Sequence, residues 1–596
     1  MTSAPIIQFG GQQLSWALGQ NLLSVKVERG LRRVATAEIT LKDPGFTLLT
    51  DQASQFAPGT DVVVSFPNAS GSPVKVFAGT VTSLRVVCPE DGDHHTAITI
   101  TAEDAAHGLG HVAKTISTAN TSLTDALRTA LSAHVSSVKL AGLPAGTRDA
   151  VIMACSPQEL LEQVCDHYGL TWWVDPADKS LNVAAPPTSP AVHALELGAD
   201  LCDLDFRTAG KTTGSVIMRG WNPLTKTELN GRNTAAAATA GGPALLNEFA
   251  QADSAKEYHV QAKSSVDAAD VTAQATARAR RFATAGTVLT ARTRRIQPGI
   301  GLRDQLQLNG AGPMSGKHLV VAIRHDWGPV TATTVVAGDP ALGAAPIPDS
   351  GPVQAVAPAQ PLSQTVGGST GMVPGLISDI KDPKNWGRVK VKLPTLGENV
   401  ITGWARTVLT AAGPSRGMVV PHRVDDEVLV AFEEGDLQRP VVLGALHNGK
   451  DTAPTGTAPR DAALSAGLTS GNGHSLVLTD TTDQAKNGMV LNQAGGQSIS
   501  LNDQRILIKA AAGKEIRLEA GKASITLDAQ GNVKIEGVQI SVTATSKMDL
   551  NAPAVTTKAT ANLTLEGTAS CALKGASVNV TANGVAAIKG SMVTVN

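Results

Sequence analysis

A histidine pair, two carboxylate clusters and two runs of arginine are the side-chain groupings here that could do chemistry. His107 and His111 have the i, i+4 spacing that sets two imidazoles on one helix face for a divalent metal. The pattern H-E-x-x-H also needs a Glu directly after the first His, but Gly108 stands there, and Gly110 is a second obstacle to a helix. His94 and His95 fall in the polar turn DGDHH, where imidazoles face water. Asp425, Asp426 and Glu427, then Glu433 and Glu434, could be imagined as the acid and base of a glycosidase. Strand alternation sends neighbouring members to opposite faces, so they are not set across one scissile bond. Neither a phosphate loop G-x-x-x-x-G-K-[ST] nor a nucleophile elbow G-x-S-x-G occurs. Cys88, Cys155, Cys165, Cys202 and Cys571 are an odd, scattered set without a C-x-x-C pair, which predicts buried thiols and argues against a disulfide framework or a zinc site. The chain reads as a non-enzyme, without catalytic, metal-binding or cofactor-binding residues.

The arginine runs, Arg278 to Arg281 and Arg292 to Arg295, read as solvated faces rather than a phosphate track. Lys and Arg total 50 against 51 Asp and Glu, so no global field draws nucleic acid or acidic lipid. The N-terminus has no basic region followed by an apolar core, and no later run reaches the roughly eighteen apolar residues of a membrane helix. The expectation is a chain without a signal peptide, made in the cytoplasm.

The elements that must position these groups centre on Met418 to Asn448, MVVPHRVDDEVLVAFEEGDLQRPVVLGALHN. Val428, Val430 and Phe432 alternate into a turn at Glu434, Gly435 and Asp436, and Pro440 to Leu443 begin a second apolar run. Gly387 to Leu393 alternates in the same way, so these are strands of one small barrel. Pro421, Asp426, Glu427, Val428, Val430, Phe432, Gly435, Asp436, Arg439, Pro440, Gly444 and Asn448 together resemble the barrel motif of contractile-tail spikes, the type VI secretion VgrG proteins and phage tail spikes. That resemblance implies an OB-fold barrel within a hub-and-spike protein.

Before the barrel, residues 1–114 alternate strands and turns, with runs at Leu22 to Val27, Ala35 to Leu41, Asp61 to Phe66, Val76 to Val87 and Ala97 to Ala102. They predict a first β-barrel, and the order FAGTVTSL then ITITAEDAAHGL resembles the first hub barrel of the phage family. Residues 115–200 predict a small α+β insertion. Its clearest helix has Ser156 and Glu159 as a capping box, Pro157 at the first helical position, Leu160, Leu161 and Val164 as its apolar face, and Gly169 as its stop. Residues 201–340 return to strands, including Ser215 to Arg219, around an Ala-rich helix at Asp267 to Ala283, and resemble the second hub barrel. Residues 341–371 are rich in Pro and Gly and predict an extended linker. The barrel occupies 372–450 and a polar bridge 451–470.

From 471 to 596 apolar pairs two residues apart recur, most clearly Ile525/Leu527, Val533/Ile535, Ile540/Val542, Met548/Leu550, Leu563/Leu565 and Val578/Val580, with polar corners between them. Each unit reads as one face of a prism, repeated every seven or eight residues. One chain winding alone would make a short stub, whereas three would make a triple-stranded β-helix roughly 45 Å long at about 4.8 Å per layer. A sandwich of short strands is the alternative, disfavoured because no aromatic residue follows Phe432.

The fold class is therefore mainly β: two hub barrels with an α+β insertion, an OB barrel and a homotrimeric β-helix needle. The resemblance implies the central spike of a contractile injection baseplate, joined to a hexameric inner tube protein and baseplate components and driven through a target membrane on firing. A PAAR-type tip protein is expected to add to the last strands, at Met592, Val593, Thr594, Val595 and Asn596. Only 449–470 separate barrel and needle, too few residues for a lysozyme-like domain, and the repeats run to Asn596 with no toxin after them. A trimeric tail fibre or adhesin is the competing reading. It calls for a sugar-stacking aromatic patch near the distal end, where the sequence has none.

Overall fold

The computed structural model describes residues 4–51, 53–88, 96–111, 114–208, 214–223, 225–234, 256–262, 267–284, 287–339, 343–348, 371–454 and 464–595. His94 and His95 lie outside these residues. The chain divides into two compact units, Met1–Thr452 and Ala453–Asn596.

The first unit is built on one large sheet. In order across it run Leu201–Arg207, Val288–Thr293, Ala332–Gly338, Gly316–Trp327, Leu22–Gly30, Thr36–Lys42, Ala97–Glu103, Pro73–Val87, Asp61–Pro67 and Ile6–Phe9, with Gln12–Gln13 at the end. The alternation read from sequence sets its faces. Ala37, Ile39 and Leu41 are fully buried and lie opposite Ala102, Ile100 and Ile98, while Glu38 between them is exposed. Two regions expected as separate barrels thus share a seam, where Ile323 pairs with Arg29 and His325 with Val27. They keep separate cores, one around Ile39, Val64 and Phe77 and the other around Leu289, Leu306 and Ile323.

Two findings differ from the sequence reading of this unit. Ser215–Asn222, expected within the second barrel, forms a separate three-stranded sheet with Thr227–Thr234 and Glu257–Gln261. The helix Ala268–Thr284 carries a narrow stripe of Val271, Ala275 and Ala279 that needs a cover, and Val216, Met218 and Leu229 supply it. The start of the expected extended linker is also docked on the sheet, which its composition did not announce. Ile347 is buried, its amide donates to Glu28 (2.7 Å), and Arg324 donates to the Ile347 and Pro348 carbonyls (2.8 and 3.0 Å).

The α+β insertion follows its local signals closely. Ser156 Oγ accepts from the Glu159 amide (3.2 Å), and Glu159 accepts from the Ser156 amide (2.9 Å), closing the capping box of helix Pro157–Tyr168. Gly169 ends that helix at φ 62°, and a Cβ there would sit 2.8 Å from that of Ala277, so the position needs glycine for both conformation and close approach. Trp172 is fully buried, and its indole donates to Glu162 (2.6 Å). The arginines read as solvated faces are partly absorbed here: Arg281 pairs with Asp166 (3.2 Å), and Arg278 lies over Tyr258 and Phe282.

In the second unit the strands Leu464–Thr469, Ser475–Asp480, Gly488–Asn492, Ser498–Asn502 and Ile506–Lys509 form one antiparallel meander, and Ile516–Ala520, Ala523–Leu527 and Val533–Glu536 a second. The expectation of one prism face per unit does not describe 471–536. Tight turns such as Asp528 to Asn532, with Gly531 at φ 87°, return the chain beside itself, and neighbouring strands take up the backbone donors. Among the described residues, no strand is formed within the chain after Glu536.

Candidate functional site

The small barrel is a five-stranded sheet in the order Lys390–Lys392, Val373–Asp379, Glu427–Phe432, Pro440–Ala445, Arg406–Thr407. Bridges Val389 to Ala405 and Lys392 to Ile401 join its two edges and close the ring. Val428, Val430, Phe432, Val391, Leu393 and Val442 fill it.

Every residue of the sequence motif has a place in this architecture. Asp426 accepts from the Arg423 amide (2.7 Å), fixing the turn into the central strand after Asp425 at φ 73°. Pro421 is exposed ahead of that turn. Glu427 accepts from the Asn448 side chain (2.6 Å), so both ends of the hairpin are tied together. Glu434 and Gly435 turn the chain at φ 58° and 71°, and Asp436 accepts from the Gln438 amide (3.0 Å). Arg439 pairs with Glu433 (2.7 Å), which Arg406 also contacts. Pro440 is buried at the start of the return strand. Gly444 stands opposite Leu429 beside a bulge. The carboxylates considered as a glycosidase pair thus serve as turn and hairpin ties. His107 pairs with Glu103 and meets His111 edge to face at 4.2 Å between ring centroids. Among the described residues, no group of three or more His, Cys, Asp or Glu is arranged to hold a metal.

Sequence reasoning missed a cationic and aromatic ladder on the barrel wall. Arg388 lies over both Trp386 and Trp404 (5.1 and 5.8 Å to the ring centroids), with Lys384 also over Trp386 and Lys390 over Trp404. Its guanidinium donates to Asp382 (2.7 Å) and, with backbone amides, holds that carboxyl below the usual carboxylate range. Only the crowding of Trp, Arg and Lys between 384 and 404 hinted at it.

The second unit exposes its apolar residues in register. Leu468, Leu476, Leu491, Ile499 and Ile508 form one cross-strand row, and Leu478, Met489, Leu501 and Ile506 the next. All are exposed, Leu491 at 52%. In the shorter meander Leu518, Ile525 and Ile535 align, as do Ile516, Leu527 and Val533. The structure thus brings Ile525, Leu527, Val533 and Ile535 onto one face. Ile540, Val542, Met548, Leu550, Leu563, Leu565, Val578 and Val580 are exposed and outside any strand. Met592, Val593, Thr594 and Val595 are exposed too, and Asn596 lies outside the described residues. The upstream rows show the same alternation as the repeats, but their longer hairpins broke the seven- or eight-residue spacing that marks the series after 525.

Residues 3–328, more than half of the chain, match the Alg8 N-terminal domain. The chain belongs to the Alg8 N-terminal domain family. Residues 373–447 of this Alg8-family chain match a second family, the type VI secretion system/phage-baseplate injector OB domain. A segment of 111 residues is 32% identical to the type VI secretion system spike protein VgrG1b of Pseudomonas aeruginosa. The match covers 18% of the chain and 15% of that relative. Two solved structures share the fold: the lidded Francisella PdpA-VgrG complex (TM-score 0.51, 10% identity, 85% of this chain and 80% of that one) and the lidless PdpA-VgrG complex (TM-score 0.50, 11%, 85% and 99%). Through that domain and segment the Alg8-family chain is similar to VgrG-like, phage-tail-type spike proteins, as the motif from Pro421 to Asn448 implied.

Proposed function

We propose that this chain is the homotrimeric hub and spike of a contractile injection baseplate. Residues 1–340 form the hub that meets a hexameric inner tube protein and baseplate components, and 372–450 form the collar. Residues from about 464 onward form the needle that is driven through a target membrane. The chain is made in the cytoplasm, assembled there into a phage-tail-like particle, and acts mechanically without a cofactor.

The observation that carries this reading is the in-register apolar face of 464–536, which none of the described residues of its own unit covers. Two further copies of the chain would cover each such face about a threefold axis and give the pairs after Glu536 strand neighbours. At about 25 cal/mol per Å² of apolar surface covered, such rows hold copies together by many small increments.

Light scattering on the full chain should give three times its 61.2 kDa mass. A monodisperse monomer would sink the reading. The exposed Val593 and Val595 leave an edge for a PAAR-type tip protein to extend. Deleting Lys589–Asn596 should keep the trimer and abolish capture of that protein, whereas undiminished capture would move the contact elsewhere.

A further inference from the structure

One strand of the insertion belongs to two cores. Thr147–Cys155 pairs with Lys114–Ser122 in a two-stranded ribbon, and among the described residues no strand lies on its other edge. Val151 and Met153 point into the core of the insertion, whereas Ile152, 3% exposed, packs with Val391, Val430 and Phe432 inside the small barrel, and Ala154 packs beside it. Alternation sends neighbours to opposite faces, so this ribbon is a wall common to both domains.

The open edge is filled by a side chain acting as a strand. Gln438 Oε1 accepts from the Ile152 amide (3.2 Å) and Gln438 Nε2 donates to the Ile152 carbonyl (2.8 Å), the two bonds that a neighbouring strand would make. Gln438 is held for this by the Asp436 turn of the barrel motif. Around it, Ser117 Oγ donates to the Ile401 carbonyl (2.7 Å), and Arg388, fixed by its two indoles and Asp382, reaches Asp149 (3.4 Å). Gly403 faces the same strand so closely that a Cβ would lie 3.1 Å from that of Asp149 and 3.3 Å from the Ala150 nitrogen. This contact has a buried side chain, a two-point amide clamp and an ion pair, which is the construction of a fixed joint.

We propose that the ribbon of Lys114–Ser122 and Thr147–Cys155 is the seat on which the hub bears against the spike barrel, with Gln438 as its key. Thrust then passes from hub to insertion to barrel through this contact and does not depend on the covalent connection at 349–370. The proposal rests on the hub-and-spike reading above.

A protease recognition sequence inserted after Gln360 of the full chain separates the two routes. After cutting, the hub and spike fragments should still co-elute at the mass of the uncut assembly. In the cut Gln438→Glu protein, whose carboxylate has no hydrogen to give the Ile152 carbonyl, they should part, while the uncut variant keeps its full mass. Hydrogen exchange at the Ile152 amide should accelerate at least tenfold in Gln438→Glu, with the Val430 amide unchanged as proof that the barrel is folded. Separation of the cut parent fragments, or undiminished association of the cut variant, overturns the seat. If the uncut chain is a monomer, the trimeric reading fails by itself, and co-elution of the cut fragments still decides the seat.

Discussion

Thr36–Lys42 in the first unit and Ser498–Asn502 in the second have the same local design, a short strand with an apolar residue at every second place. Ile39 is fully buried and pairs with Ile100 and Val25 from the same sheet. Ile499 pairs just as regularly with Leu491 and Ile508, yet it is 39% exposed because among the described residues no second layer of its own unit covers that sheet. Alternation encodes a face to be covered and leaves open whether the cover comes from the same chain or another. On the trimeric reading proposed above, the first unit would be stable on its own contacts, while the second would depend on assembly and so on concentration.

The largest effect should come from a charge placed in the uncovered rows. Leu501→Asp should abolish the proposed trimer, and Ser500→Asp on the opposite face should leave it intact, since each unpaired carboxylate in a dry layer costs several kcal/mol. Ile535→Asp against Lys534→Asp repeats the contrast further along. Sedimentation of all four variants checks the faces, and equal behaviour within either pair would mean that the register is wrong.

Trp172→Ala tests the other half of the comparison. The loss of a fully buried indole and its bond to Glu162 should cost about 3–5 kcal/mol in the unfolding of the first unit. The cost should not change with protein concentration or alter the mass of the assembly. A concentration-dependent shift would show that the insertion also depends on a partner chain.

A pH series sharpens the picture of the interior of the first unit. Burial pushes His325 down to about 3 and Asp104 up to about 7. His325 contributes stability that is full above its ordinary value of 6.5 and is lost as pH falls toward 3, because the unfolded chain takes up the proton that the buried ring refuses. Asp104 works in the opposite sense: its contribution is full below 3.8 and is lost as pH rises toward 7. Between about pH 5 and 6 the two slopes oppose each other. In Asp104→Asn the first unit should lose roughly 1.4 kcal/mol per pH unit on acidification, read as thermal midpoint against pH, where the parent stays nearly flat. Parallel curves would refute the pairing of these two groups. The smallest change is Ser156→Ala, which opens the capping box and should cost about 1 kcal/mol in the same assay.

What the sequence determined by itself is whatever depends on near neighbours. Ser156 and Glu159, Gly169, the Glu434–Gly435 turn and the alternation of Val428, Val430 and Phe432 are each set within a few residues, where propensity, capping and turn chemistry act without knowledge of the rest of the chain. Contacts set by distant residues were decided only by the tertiary structure. Gln438 and Ile152 are 286 residues apart, and Arg388 and Asp149 are 239 apart, so no spacing rule could link them. The seam between Leu22–Gly30 and Gly316–Trp327, the docking of Ile347 and the cover that Ser215–Asn222 gives an Ala-rich helix are of the same kind. Each arises because a face with apolar side chains or open backbone groups is closed by whichever partner the fold delivers, and delivery is a property of the whole chain.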